Sequence, residues 1–257
     1  MKVVTIAQPK GGTGKTNVAM HTAFAAAETR RVLVVDLDPQ QAALSEPMGA
    51  FASDIPAAAL FAEPTEVKPV GRITLVPRSE HLAGIEREKL EEMAENFLAS
   101  LRANAAHYDL VVIDTAPHHG SAVAAAILAA DLIVSPIELQ EASLNAVESA
   151  VGTIFGVCDH FGKPRPDLTR KRPLLVSRFS RTSLRQRELF QQLAQVVGKI
   201  VIDGAIVTRD AYARAHAEAK PVWDLRDKRG QFSGTIKEAA TEMRAVLAEC
   251  ERMMETA

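Results

Sequence analysis

Apolar residues along the chain fall into short, nearly unbroken runs, separated by longer stretches in which they recur every three or four positions. The runs Val3–Ala7, Val32–Asp36, Ile73–Val76, Leu110–Asp114, Leu132–Pro136, Leu174–Val176 and Ile200–Ile202 read as strands. Several are apolar throughout rather than alternating, which is the pattern of a parallel sheet covered on both faces. The periodic stretches predict helices over Lys15–Glu28, Arg87–Ala105, Ser121–Ala129, Ala142–Val157, Leu184–Val196 and Thr235–Met254. Thr235 and Glu238 have the spacing of a capping box at the start of the last helix. In that helix Ile236, Ala240, Met243, Leu247, Cys250 and Met254 form one stripe, expected to pack on the sheet. Pro47–Glu66, rich in Ala and Pro, carries no readable period. No repeat, low-complexity tract or linker divides the chain. The expectation is a single α/β domain over residues 1–257: a mostly parallel twisted sheet of about seven or eight strands with helices on both faces.

Composition narrows the class. With 47% hydrophobic and 24% charged residues in 257, the chain can bury a sizeable core and has no disordered bias. Its longest apolar run, Ala122–Ala130, is too short to span a bilayer and stops at Asp131. The first strand begins almost at Met1, leaving no room for a signal peptide, so a cytoplasmic location is expected. Cys158 and Cys250 are far apart, match no metal or redox spacing, and suit buried thiols in a reducing compartment. A net charge of −2 argues against a globally basic nucleic-acid binder. Between Lys163 and Arg187, however, nine basic residues face one acid, Asp167, which predicts a local positive face.

The chemistry begins at "QPKGGTGKTN", Gln8 to Asn17. A phosphate-binding loop reads G-x-x-x-x-G-K-[ST]; here Pro9 occupies the first glycine's place, and a second lysine, Lys10, precedes Lys15 by five residues. A strand before the loop and a helix after it are the context that such a site requires. Gly11, Gly12 and Gly14 let backbone N–H groups turn inward, and the helix N-terminus adds its positive end. Lys15 is expected on the β- and γ-phosphates and the Thr16 hydroxyl on Mg²⁺. Lys10, Gly11, Gly12, Thr13, Gly14, Lys15, Thr16 and Asn17 are the candidate nucleotide-binding residues.

Carboxylates complete the set. "VLVVDLDPQQ" places Asp36 and Asp38 two residues apart at the C-terminal end of a strand, where α/β ligands bind. "YDLVVIDTAPH" is four apolar residues followed by Asp114, the form of a Walker B strand whose aspartate contacts Mg²⁺ through water. His118 and His119 follow, but adjacent histidines diverge and no ligand cluster accompanies them. The chain has no [NT]-K-x-D motif for guanine, so ATP is favoured over GTP.

"KGGTGKT" resembles the deviant Walker A of the ParA/MinD family of ATPases, and the resemblance extends from Lys2 to about Leu247, thinning beyond residue 140. It implies a P-loop NTPase domain that dimerises on ATP, with Lys10 reaching the nucleotide of the other subunit while Lys15 serves its own. "DLDPQ" resembles the family's D-x-D-P-Q switch, which implies that Asp36 helps to hold the Mg²⁺ water shell and that Asp38 orients or deprotonates the attacking water. Lys10, Lys15 and Asp38 are thus the candidate catalytic residues, and Thr16, Asp36 and Asp114 the metal set. "LLVSRFSR" and "AKPVWDLR" resemble adenine-flanking segments, making Ser177, Arg178 and Pro221 candidates; Trp223 reads as packing. "TRDAYARAHAEAKPV" resembles the ParA segment carrying a DNA-contacting arginine, which nominates Arg209 and Arg214. Arg181, Arg185 and Arg187 could form a stripe at a helix start. Two departures stand out: D-T-A-P-H where the family usually has D-x-P-P, and Asn17 in place of a second Thr.

The implied function is DNA partition by the short form without an N-terminal helix-turn-helix. It is a homodimer in the ATP state that grips DNA non-specifically, associates with the nucleoid, and is stimulated by a ParB-type partner. Alternatives are an ATPase that positions protein cargo on the nucleoid, a MinD-like membrane switch, an iron–sulfur carrier and a ligase-like enzyme. The tail "EMRAVLAECERMMETA" lacks aromatics and a basic face, so no membrane partner is expected.

Overall fold

The computed structural model describes residues 1–41, 43–82, 90–140 and 143–255. Its strands are β1 (Lys2–Ile6), β2 (Val32–Leu37), β3 (Ile73–Val76), β4 (Leu110–Thr115), β5 (Leu132–Glu138), β6 (Leu174–Phe179) and β7 (Val201–Val207). They form one seven-stranded sheet in the order β3-β2-β4-β1-β5-β6-β7. Every neighbouring pair is parallel. The helices are α1 (Lys15–Ala26), α2 (Ala59–Ala62), α3 (Leu90–Ala103), α4 (Ser121–Ala129), α5 (Ser143–His160), α6 (Leu184–Val197), α7 (Asp210–Ala217) and α8 (Gly234–Glu255).

Strands β2 and β4 are buried at every position, as unbroken apolar runs require. Alternation along β1 shows how the two faces separate. Val4 and Ile6 join the core under α1, α7 and α8, while Val3 joins the core under α2, α3 and α4. On that second face Phe61 stacks on Phe97, with centroids 4.5 Å apart. A third cluster packs α5 and α6 on β5, β6 and β7.

This order creates the site. From β1 the chain crosses leftward to β2, and from β4 it crosses rightward to β5. Right-handed crossovers in opposite directions lie on opposite faces, so the loops after β1 and β4 part at the boundary between these two strands. Ligands of open α/β sheets bind in the crevice at such a switch point.

Several elements differ from the sequence expectation. β6 runs three residues further, through Ser177, Arg178 and Phe179, and β7 runs to Val207. β7 is an edge strand with Asp203 and Gly204 exposed and register shifts against β6, so its apolar run is broken. Helix α7 falls where no helix was expected, because only Ala211, Tyr212 and Ala215 of its eight residues are buried. The capping box does not open α8, which starts at Gly234 and contains Thr235; Glu238 instead pairs with Arg209 at 2.7 Å. The expected helix starts Arg87 and Ala142 lie outside the described residues. The apolar stripe of α8 packs on the sheet as expected, with Ile236, Ala240, Met243, Leu247, Cys250 and Met254 all buried. No described helix is long and apolar enough to cross a membrane.

The basic segment does not make one face. Arg165, Arg170 and Arg172 precede β6, pairing with Asp159, Asp167 and Asp203. Arg178, Arg181, Arg185 and Arg187 follow its buried part, and a six-residue strand spans roughly 20 Å. The nine charges are therefore divided between opposite edges of the sheet.

Candidate nucleotide site

The loop between β1 and α1 gets its shape from glycine geometry and from clamps on its carbonyls. Gly12 and Gly14 have φ of +74° and +92°, a region open to glycine at little cost. Gly14 caps α1 without any side-chain hydrogen bond, which leaves the first-turn N–H groups for a ligand. The Ser177 hydroxyl donates to the Thr13 carbonyl at 2.7 Å, and the Arg178 guanidinium donates to the Gly12 carbonyl at 2.7 Å. Arg178 does so from a left-handed backbone, φ 52°, a strained conformation for a non-glycine residue. Two successive carbonyls of the loop are thus held by side chains of β6.

The two lysines diverge. Lys15 is buried, with its ammonium 3.4 Å from the Lys10 carbonyl inside the loop. Burial lowers its pKa, partly countered by the charges of Asp114 and Asp38. Lys10 is exposed and points away, donating to Gln140 Oε1 at 2.6 Å.

Asp36 and Asp114 are register partners on β2 and β4. Asp36 is fully buried and accepts from Ser45 Oγ at 2.5 Å, Ser45 N at 3.1 Å and Asp38 N at 3.1 Å. Desolvation nevertheless pushes its pKa up to about 6. Desolvation and the neighbouring Asp36 push Asp114 up to about 8, against a Thr16 hydrogen bond and the Lys15 charge. Asp114 Oδ1 is buried without a hydrogen-bond partner. An unpaired carboxylate oxygen beside a hydroxyl and a second carboxylate is an all-oxygen donor set, and it fits a hard divalent cation such as Mg²⁺. Asp38 lies at the cavity wall, with Oδ1 accepting from Gln40 N and Gln41 N at 3.0 and 3.1 Å.

The cavity over the loop measures about 550 Å³, within the range of ligand pockets. Gly11 to Asn17, Asp38, Ser177, Arg178 and Arg209 line it. Pro221 does not. In its place stand Thr208, Asp210, Tyr212 and His216, which sequence reasoning missed. The signal for them is position: they follow the C-terminal end of β7, the same edge as the phosphate loop. Arg209 is nearly buried and committed to Glu238 at 2.7 Å and Glu242 at 2.8 Å. Arg181 also pairs with Glu242, at 2.9 Å, and Arg185 with Glu188, at 3.5 Å. Arg214 bonds the Arg226 carbonyl at 2.9 Å, and Arg187 is exposed. Cys250 is buried and Cys158 half-buried, and both are free. Among the described residues no cluster of three or more His, Cys, Asp or Glu could hold a metal, which leaves His118 and His119 outside any such group.

A glycine-clamped loop at a parallel-sheet switch point, with its lysine inward and carboxylates opposite, defines a P-loop nucleotide-binding protein. Comparison with known proteins refines the class. A profile described as AAA domain (AAA_31) matches residues 1–164. Protein IncC of Escherichia coli is 33% identical over 96% of this chain and 68% of its own length. The chromosome partitioning protein ParA of Myxococcus xanthus is 28% identical over 88% of this chain and 83% of its own. Among solved structures, an Asp-to-Ala variant of McdA from Cyanothece in complex with ATP has a TM-score of 0.78. It is 18% identical, covering 98% of this chain and 96% of that one, which is a likeness of fold. The chain belongs to the AAA_31 family, as a ParA-type ATPase.

Proposed function

We propose that this protein is a DNA-partition ATPase. In this reading it binds ATP with Mg²⁺, dimerises, and grips DNA without regard to sequence. A ParB-type centromere-binding partner then stimulates hydrolysis, which releases the dimer. The observation that carries the proposal is the divergence of the lysines: Lys15 turned into the loop, and Lys10 exposed and bonded to Gln140. A lysine so placed is available to a nucleotide held by a second copy, and two inward lysines would have no such use.

In the ATP state Lys15, Gly11 to Gly14 and the first-turn amides of α1 receive the phosphates. Thr16, Asp36 and Asp114 would hold Mg²⁺, and the ion would supply positive charge to the phosphoryl oxygens. Asp38, already at the cavity wall, orients or deprotonates the attacking water. Ser177 and Arg178 set the loop's curvature through the Thr13 and Gly12 carbonyls. On the DNA side, Arg181, Arg185, Arg187 and Arg214 are more open to solvent and so better placed for phosphate contacts than Arg209, which is nearly buried against Glu238 and Glu242.

Sedimentation with and without Mg·ATP tests the reading. Lys15→Ala should abolish nucleotide binding. Lys10→Ala should bind ATP as a monomer with wild-type affinity and fail to dimerise. An ATP dimer of normal strength in Lys10→Ala would overturn the role of this lysine across the interface.

A further inference from the structure

His21, one turn into α1, has no part in the roles assigned above, yet it is fully buried and both of its ring nitrogens are engaged. The Val222 N–H donates to Nε2 at 3.1 Å, which places the ring proton on Nδ1, within 2.8 Å of the Asn17 carbonyl that accepts it. The ring meets Tyr212 and Trp223 edge-on, with centroids 5.9 and 5.7 Å apart.

Each neighbour leads to a different part of the molecule. Asn17 is in the first turn of α1 and lines the nucleotide cavity. Tyr212, on α7, lines the same cavity and donates to the Ala239 carbonyl of α8 at 2.9 Å. The Trp223 carbonyl accepts from Arg226 at 3.2 Å, and the Arg226 carbonyl accepts from Arg214 at 2.9 Å. One side chain therefore ties the phosphate-binding turn to the segment running from Tyr212 to Arg226.

We propose that His21 is a positioning residue that transmits nucleotide binding at the first turn of α1 to the Val222–Arg226 segment. The inference rests on the nucleotide-site reading but not on DNA binding. Phosphates drawing on the first-turn amides shift the Asn17 peptide. The imidazole is planar, with two fixed hydrogen-bond directions, and sits in a close-packed interior. A displaced Asn17 carbonyl therefore carries the ring with it, and the ring carries the Val222 amide. A flexible side chain would absorb the same displacement by changing rotamer.

Trp223 is the chain's single tryptophan, so its fluorescence reports on this contact. The experiment titrates Mg·ATP into wild type, His21→Gln and His21→Asn, with affinity measured separately by calorimetry and folding by thermal melts. Gln can keep the bond from Val222, and Asn the bond to Asn17, so each variant cuts one side. Wild type should show a saturable Trp223 change. Both variants should bind ATP with similar affinity while losing most of that change. A folded, ATP-binding variant with the full response would overturn the proposal. Exchange of the Val222 amide in the wild-type protein provides a test free of substitution: ATP must alter its rate, and an unchanged rate with ATP bound would also overturn it. A wild type that gives no binding heat with ATP would instead refute the nucleotide site itself.

Discussion

The buried imidazole of His21 makes a quantitative claim about stability. Desolvation holds its pKa at about 4, outweighing the favourable bond to the Asn17 carbonyl. In the unfolded chain the same group titrates near the ordinary histidine value, about 6.5. Between these values the unfolded state binds a proton that the folded state refuses, so His21 lowers stability as pH falls from about 6.5 to about 4. Above that window it costs nothing. The full span is about 2.5 units, or about 3 kcal/mol, of which about 2 kcal/mol is lost by pH 5. Asp36 and Asp114, raised to about 6 and about 8, act in the opposite sense: the folded state keeps their protons, and the stability they contribute disappears as pH rises through those values. The whole-protein curve therefore mixes the two effects, and only a difference isolates His21. Urea unfolding of wild type and His21→Gln at about pH 7.5 and about pH 5 supplies that difference. Wild type should lose about 2 kcal/mol more than the variant between the two conditions. Equal losses, or an imidazole of His21 seen by NMR to titrate near 6.5, would show that burial does not hold His21 neutral.

Further outcomes can be checked in the same way. Ser177→Ala removes the hydroxyl that holds the Thr13 carbonyl, and it should weaken ATP binding roughly tenfold by calorimetry while the melting temperature changes little. Arg209→Ala leaves Glu242 short of a partner in a nearly buried position, and it should lower stability by about 1–3 kcal/mol in denaturant titrations. The exposed Arg214→Ala should stay within about 0.5 kcal/mol of wild type.

What the sequence showed plainly was what depends on local pattern. Val32–Val35 and Leu110–Ile113 are unbroken apolar runs because helices cover both faces, and that burial leaves a direct mark on composition. Gly12, Gly14, Lys15 and Thr16 are legible because a loop that wraps phosphate has few alternatives. What escaped was set by distant partners. Arg209 meets Glu242 across 33 positions, and nothing near either residue announces the pair. Arg209, nominated for DNA by likeness, is paired in the structure with Glu238 and Glu242. Helix α7 buries too few residues to display a period, since its form depends on Tyr212 packing on α8. The basic segment looked continuous only because a linear count cannot see β6 dividing it.

The most direct test of the partition reading is binding to random-sequence duplex DNA in the presence of ATP, ADP or no nucleotide, at two salt concentrations. Asp38→Ala should be used to hold the ATP state. Binding is expected with ATP alone, weakening steeply with salt as phosphate contacts require. Absence of binding in every nucleotide state, with ATP demonstrably bound, would contradict it.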